Sequence, residues 1–278
     1  MATPLFNAGT LPDRAIFRVA GPDARTFLQG LLTIDVTGLA GGRGAYGALL
    51  TPQGKILFDL FILAREEGFL IDCARAQRDE LMRKLAFYRL RAKVEIEAAP
   101  QAVAVFPEEP PQPLRYPDPR LASLGWRALV EPGSMAPASS YGAAQIALGL
   151  ADSADLAPGE FFPHEANMDQ FGGVDFGKGC YVGQEVVSRM EHRGTARSRI
   201  VPVVLSGAAP ARGTAILAGG KQVGTLLSAA GNRALALLRL DRLAEAQGPL
   251  LTEHVSLAVR KPSFARYEVA GATEDSGS

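Results

Sequence analysis

Apolar and polar positions in the first hundred residues predict strands and helices in a mixed order. The predicted order is strand, helix, three strands, helix, strand, over Arg14–Ala20, Asp23–Leu32, Tyr46–Leu50, Lys55–Ala64, Phe69–Cys73, Gln77–Tyr88 and Lys93–Glu97. Thr51-Pro52-Gln53-Gly54 is a hairpin signal, because Pro and Gly each supply a turn dihedral. This order predicts an α+β sheet with helices on one face, and not a doubly wound parallel sheet.

The rest of the chain divides into a proline-rich middle and a β-rich end. The stretch 100–119 predicts an extended connection, because its prolines cannot lie in a helix interior or a central strand. A strand at Trp126–Val130 and a helix at Ser139–Leu150 follow. Short β-rich runs then recur at Ile200–Leu205, Ala215–Leu217, Lys221–Ser228, Ala234–Leu240 and Val255–Val259. They predict a small all-β barrel that begins near residue 198.

Composition and charge narrow the class of protein. Apolar residues make up 47% of the 278 residues and charged residues 21%, which is ordinary for globular domains. Lys+Arg and Asp+Glu both total 29, so no basic excess predicts a nucleic-acid partner. Two cysteines cannot form a disulfide framework, and no run predicts a signal peptide or a membrane span. We therefore expect a soluble cytoplasmic protein.

Chemistry concentrates around Cys180. Glycines at 177, 179 and 183 precede a helical pattern from Gln184, so Cys180 is expected just before or at a helix N-terminus. Helix dipole and free N–H groups there favour a thiolate, and Lys178 or the following arginines would lower its pKa further. Such a thiol is a nucleophile, a redox sensor or a soft-metal ligand. Alternatively, a lone cysteine is a small buried hydrophobe.

The segment Lys178–Glu185, KGCYVGQE, closely resembles the K-G-C-Y-x-G-Q-E signature of the YgfZ-type family. That family is related to the glycine-cleavage T-protein and includes a mitochondrial factor that acts late in 4Fe–4S protein maturation. The lead-in from Phe161 and the basic exit to Arg199 match the family as well. Phe27–Val36 and Gly47–Leu60 resemble its first domain.

The resemblance implies a fold, a cofactor and a site. The fold would be two intertwined α+β domains, about 1–98 and 99–198, then a Greek-key β-barrel over 199–270 and a flexible tail at 271–278. The central pocket would bind tetrahydrofolate, with Arg199 as a weaker candidate contact. Cys180 would be the functional thiol, and its partners would be iron–sulfur client or carrier proteins. The residues implied to orient or activate it are Lys178, Gln184, Glu185 and Arg189.

Departures from the T-protein limit the implied chemistry. Its acidic loop has no counterpart in Ser123–Gly133, and Ala147 stands where its folate-contacting carboxylate would be. We therefore expect no classical aminomethyl transfer. A folate-dependent one-carbon transferase remains one alternative, and a scaffold that forms a mixed disulfide through Cys180 is another.

A resident metal centre is not expected from the ligands that the chain offers. A 4Fe–4S cluster normally uses four Cys thiolates, and Cys73 is predicted to lie in the core of a strand. Cys180 would then be at most a transient ligand whose partners come from another chain. The three histidines, His164, His192 and His254, are dispersed and show no metal-ligand spacing.

Overall fold

The computed structural model describes residues 4–194 and 196–274. Its strands form three sheets, and five α-helices accompany them in the described residues. The strands are β1 Gly9–Thr10, β2 Arg14–Ala20, β3 Gly44–Leu50, β4 Ile56–Arg65, β5 Gly68–Ala74, β6 Glu95–Ala99, β7 Ala102–Phe106, β8 Arg115–Pro117, β9 Trp126–Val130, β10 Ser198–Leu205, β11 Ala215–Ala218, β12 Lys221–Ala230, β13 Arg233–Arg239, β14 Leu250–Thr252, β15 Val255–Lys261 and β16 Thr273–Glu274. The α-helices are α1 Ala24–Gln29, α2 Arg78–Arg89, α3 Tyr141–Leu148, α4 Gln184–Arg193 and α5 Leu240–Ala244.

The first sheet has the strand order β3-β4-β5-β2-β6, and all of its pairings are antiparallel. Helices α1 and α2 cover one face, where Leu28 and Leu81 join a core with Phe17 and Phe58. Cys73 belongs to this core and is fully buried, as its strand position predicts. Burial raises the pKa of its thiol to about 12. The mixed α+β architecture predicted for this region is confirmed.

The second sheet corrects the predicted extended connection. Its order is β1-β7-β9-β8, and β7 lies inside the stretch 100–119. The apolar run AVAVF of β7 ends before the proline cluster begins at Pro107, so nothing prevents it from pairing on both sides. Pro117 lies in β8, at the edge of the sheet, where a missing N–H is tolerated. Because β1 precedes the first sheet and pairs with β7, the two α+β parts are intertwined.

The β-rich end forms a closed barrel. Its six strands follow the order β10-β13-β12-β11-β14-β15, and β15 pairs back onto β10. Strands β11 to β13 are hairpin-connected, and β10 lies beside β13, which is a Greek key. The sequence pattern missed β14 and α5. Strand β16 pairs in parallel with β15 inside the predicted tail 271–278, whose residues 275–278 lie outside the described residues.

One apolar core joins the three parts. It contains Ile16 from the first sheet, Val103 from the second and Ile200 from the barrel. The sheets and the barrel therefore bury surface against one another, which fixes the loops between them. None of the helices in residues 4–194 and 196–274 has the length and apolar character that crossing a bilayer requires.

Candidate functional site

Cys180 lies on a surface loop that leads into α4. Its side chain is exposed, and it stands four residues before the first residue of the helix. Gly183 caps α4 with a φ of 81°. A Cβ at that position would lie 2.5 Å from the Thr51 carbonyl oxygen, so only glycine lets the loop approach the turn between β3 and β4. The thiol is therefore presented to solvent on a loop whose end is fixed against the first sheet.

Lys178 anchors the same loop from within. Its ammonium group donates hydrogen bonds to the carbonyl oxygens of Gln29 at 2.7 Å, Leu32 at 2.6 Å and Ile34 at 2.8 Å. These contacts use all three N–H bonds of the buried side chain. The sequence predicts that Lys178 orients or activates the thiol. The structure directs its charge at the end of α1, so its contacts hold the loop that carries Cys180.

The turn before Cys180 is closed by Asp175. Its Oδ1 accepts hydrogen bonds from the backbone N–H groups of Gly177 at 2.8 Å and Lys178 at 3.0 Å. Burial lowers the pKa of Lys178 to about 8, against the opposing attraction of Asp35 and Asp175. The buried ammonium group of this loop therefore has a lower pKa than an exposed lysine.

The other predicted orienting residues lie on α4. Arg189 donates a 2.7 Å hydrogen bond to Glu185 across one helical turn, and both side chains are exposed. Such a surface pair contributes about 0.3–0.5 kcal/mol to the helix. Gln184 is the first helical residue and is half-buried. These three residues thus lie on the helix that follows the thiol, and Arg189 pairs with Glu185.

Arg199 joins the barrel to the preceding loop. Its guanidinium binds both carboxylate oxygens of Asp169, at 2.6 and 3.0 Å, and the His164 carbonyl oxygen at 2.6 Å. The group also lies 4.5 Å from the ring centroid of Tyr267. Arg199 does not line the cavity described below, so its predicted contact with a cofactor is not supported by its position.

The fold gathers His164, Asp169 and Glu191, whose possible ligand atoms lie within 4.8 Å of one another. Dispersed histidines in the sequence gave no sign of this grouping. These are ligand types that a divalent cation accepts. However, His164 Nε2 already lies 3.0 Å from Glu191 Oε2, and Arg199 holds both oxygens of Asp169. The group connects α4 to the barrel through hydrogen bonds within the protein.

A cavity of about 350 Å³ lies where the three parts of the fold meet. Its lining includes Arg14, Asp59 and Phe61 from the first sheet and Ser228 from the barrel. The second part contributes Arg120, Arg127, Tyr141 and Gln145. Among its described lining residues none belongs to 176–193, so the cavity and the Cys180 loop are two separate sites.

The cavity wall carries buried charges of both signs. Arg14, Arg120 and Arg127 line the cavity with the buried carboxylates of Asp59 and Asp155. Asp72 and Asp118, also buried, are the ion-pair partners of these arginines. Arg14 Nε donates to Asp72 Oδ1 at 2.7 Å, and Arg120 binds Asp118 through two nitrogens at 3.0 and 2.8 Å. Burial costs are offset only when charges are paired in this way.

Asp59 differs from Asp72 and Asp118 in that no direct ion pair holds its carboxylate among the described residues. Its contact with the Tyr46 hydroxyl is long, at 3.3 Å. Burial raises its pKa above the ordinary value, against the charge of Arg14 and a hydrogen bond from Ser153, which lower it. Asp59 lines the cavity. The sequence reasoning missed this site. Its signal is a charged residue inside an otherwise apolar strand, as in ILFDLF around Asp59 and FLIDC around Asp72.

Comparisons with known proteins match both ends of the chain to described families. Residues 197–267 match the family described as CAF17, C-terminal beta-barrel domain. Residues 13–107 match the family described as GCVT N-terminal domain. The crystal structure of glycine cleavage system aminomethyltransferase T from Bartonella henselae superposes with a TM-score of 0.74 at 16% identity. The superposition covers 94% of this chain and 87% of the aminomethyltransferase chain, so the predicted T-protein fold is confirmed.

Curated relatives match most of the chain. The mitochondrial iron-sulfur cluster assembly factor IBA57 of Mus musculus is 34% identical over 284 residues, covering 86% of this chain and 78% of that protein. The human protein of the same name is 34% identical over 282 residues with the same coverage. The IBA57 homolog of Chaetomium globosum is 32% identical and covers 87% of this chain and 74% of its own length.

These names correct the predicted location. The relatives are named as mitochondrial proteins, which contradicts the cytoplasmic location predicted from the sequence. The prediction rested partly on the low number of cysteines. That number indicates reducing surroundings and does not distinguish one reducing compartment from another.

Proposed function

Because this chain belongs to the CAF17/IBA57-type family of iron–sulfur cluster assembly factors, we propose that it serves the maturation of iron–sulfur proteins through Cys180. One observation carries the role of the thiol. Cys180 is exposed on a loop that Lys178 fixes from the buried side, whereas Cys73 is fully buried. Cys180 is therefore the one cysteine of the chain that another molecule can reach.

The number of accessible thiols sets the way in which a cluster could be handled. Thiolates are soft ligands for iron–sulfur clusters, and a 4Fe–4S cluster normally needs four of them. This chain supplies one, so a cluster held at Cys180 takes its remaining ligands from a partner protein. The proposed role is thus transient and shared, with the cluster as cargo.

We also propose that the central cavity binds a reduced folate. Its volume of about 350 Å³ lies at the lower end of the range for small-molecule sites. The pterin ring carries N–H donors, and Asp59 offers a buried carboxylate in the cavity wall that forms no direct ion pair among the described residues. Gln145 would add an amide and Phe61 an apolar face to the same wall. When bound, a reduced folate would supply one-carbon chemistry; these residues bind and orient it.

A complementation experiment tests the role of Cys180. A deletion strain would be complemented with wild type, Cys180→Ser or Cys73→Ala, and aconitase and radical-SAM enzyme activities would be measured. We expect full recovery with wild type and none with Cys180→Ser. Cys73→Ala serves as the matched control, because it removes the other thiol of the chain, which does not lie on the Cys180 loop. Full recovery with Cys180→Ser would refute the role of the thiol.

A titration tests the cavity separately. Calorimetry with tetrahydrofolate is expected to show binding to wild type and at least about tenfold weaker binding to Asp59→Asn, the loss of one charge-assisted hydrogen bond. Asp241→Asn, a partly exposed aspartate on α5 that does not line the cavity, is the control and should bind as wild type does. Absence of binding to wild type would refute the folate proposal and leave the role of Cys180 standing.

A further inference from the structure

The end of α2 exposes two large apolar side chains. Phe87 is 73% exposed and Leu90 is 88% exposed, which are the highest values for large apolar residues in the described part of the chain. The core-facing positions of α2 are Leu81, Leu85 and Tyr88, which follow helical spacing. Phe87 lies on the opposite side of the helix from them, so its exposure does not result from fraying of the apolar stripe.

Leu90 occupies a backbone conformation that leucine rarely adopts. It caps α2 with a φ of 46°, a position where glycine is the usual residue. The other non-glycine residues with positive φ in the described chain are Asn167 and Glu253, and asparagine tolerates this region well. An exposed leucine gains little from the core to offset the backbone cost. Such strain at a surface position indicates a role outside the fold.

Positive charge surrounds these two side chains. The twelve residues 83–94 contain five cations and no carboxylate, in a chain whose net charge is zero. The cations are Arg83, Lys84, Arg89, Arg91 and Lys93. In the described residues none of the five takes part in a salt bridge. The surface is thus an apolar centre with a basic rim, which is complementary to an acidic surface with an apolar pocket.

The same surface is connected to the Cys180 loop through α1. The Lys93 backbone N–H donates a 2.7 Å hydrogen bond to Asp23, which precedes α1. Lys178 binds the Gln29 carbonyl oxygen at the other end of α1, also at 2.7 Å. A six-residue helix is about 9 Å long. A partner interface of standard size, about 800 Å² on each side, is wide enough to include both ends.

We propose that the end of α2, formed by Phe87, Leu90 and the five cations, docks an acidic surface of the protein that exchanges the cluster at Cys180. This proposal rests on the proposed function, because the partner is the protein that Cys180 serves. The apolar side chains enter a pocket of the partner, and the cations pair with its carboxylates. Two apolar side chains on one helix end offer too little area for a membrane anchor, which requires a longer apolar face.

Substitutions at the helix end test the docking in the complemented strain. Leu90→Gly removes the apolar side chain and also relieves the backbone, so its unfolding midpoint should not fall below that of wild type. We expect aconitase activity at least about fivefold lower with Leu90→Gly and with Arg91→Glu, since anchor residues contribute more than a factor of five to binding. Leu251→Ser and Arg233→Glu, exposed residues of the barrel, are the controls and should restore full activity.

The activities of the Cys180 and α2 variants together distinguish failure of the docking proposal from failure of the proposed function. If Cys180→Ser fails and both α2 variants restore full activity, the docking surface is wrong while the assembly role stands. A photo-crosslinking side chain, p-benzoylphenylalanine, at position 87 should form an adduct with an iron–sulfur protein whose surface is acidic. Adducts only with a second copy of this chain, or binding of wild type to anionic vesicles that Arg91→Glu abolishes, would overturn the assignment to a protein partner.

Discussion

Arg127 Nη2 donates a 2.5 Å hydrogen bond to Asp72 Oδ2, and this contact joins β9 of the second sheet to β5 of the first. Both side chains are almost fully buried. Asp72 also accepts from Arg14, so one carboxylate is shared by two guanidinium groups. The two intertwined parts therefore meet through paired charges as well as through apolar packing.

Removal of Arg127 should be strongly destabilising. Arg127→Met leaves Asp72 and Asp118 with one cation fewer in a buried setting, and breaking such a pair costs about 3–5 kcal/mol of unfolding free energy. Urea unfolding would measure the loss as a lower midpoint. Arg233→Met, an exposed arginine on β13, should change the free energy by less than about 0.5 kcal/mol. Equal unfolding midpoints for the two variants would show that the Arg127–Asp72 ion pair does not contribute to stability.

Lys178 should make the stability depend on pH between about 8 and its ordinary value. Its pKa is lowered to about 8 by burial, so above pH 8 the folded state releases a proton that the unfolded state keeps up to about 10.5. The unfolded state then binds more protons, and the free energy of unfolding rises with pH by at most about 1.4 kcal/mol per unit. Lys178→Met lacks the ammonium group, so its stability should not show this dependence on pH.

Two unfolding series, one for wild type and one for Lys178→Met, check this behaviour. The stability of wild type relative to the variant should increase from pH 8 to pH 10. A difference between the two proteins that stays constant over that range would show that the pKa of Lys178 is not lowered.

Gly183→Ala should displace the loop that carries Cys180. The added Cβ would lie 2.5 Å from the Thr51 carbonyl oxygen, at a φ of 81° that alanine adopts poorly. A cost of about 1–3 kcal/mol of unfolding free energy is expected for such a conformation. Gly179→Ala, which meets nothing within 4 Å, is the matched control. Alkylation of Cys180 by iodoacetamide should change in rate only for Gly183→Ala, and an unchanged rate would refute the tight approach.

Asp59→Asn should stabilise the protein increasingly as pH rises from about 4. Burial raises the pKa of the Asp59 carboxyl above its ordinary value, so in that range the folded state binds more protons than the unfolded state. The Asp59 contribution to stability is therefore lost as pH rises, and asparagine avoids that loss. Thermal midpoints of both proteins at pH 4 and pH 7 measure it. A variant that is less stable than wild type at pH 7 would contradict the raised pKa.

Local patterns predicted the regular elements well. Strands β2 and β9 have the bounds that their apolar runs indicate, Arg14–Ala20 and Trp126–Val130. The barrel strands also lie where short apolar runs alternate with glycines. In contrast, the sequence pattern does not indicate β7, because the prolines that follow Phe106 dominate the composition of the stretch 100–119. A run of five residues with no charge gives too little periodicity to separate a central strand from a connection.

Residues far apart in sequence determine the two sites, and these contacts could not be predicted. The resemblance selected the Cys180 loop, but the carbonyl groups that hold Lys178 lie 144 to 149 residues earlier. No local pattern indicates which backbone oxygens an ammonium group will meet. The cavity likewise depends on the meeting of Arg14, Asp59 and Arg127 from strands of different sheets.

The position of β1 has a consequence for synthesis of the chain. The strands of the first sheet are contiguous, from Arg14 to Ala99, whereas β1 pairs with β7 at Val105 and Ala104. As the chain leaves the ribosome, the pairings of the first sheet can form while Gly9 and Thr10 still await their partner. At about 5–20 residues per second, that interval from β1 to β7 is about 5–20 s. The N-terminal strand β1 can therefore pair at the edge of the second sheet only after all strands of the first sheet have been synthesised.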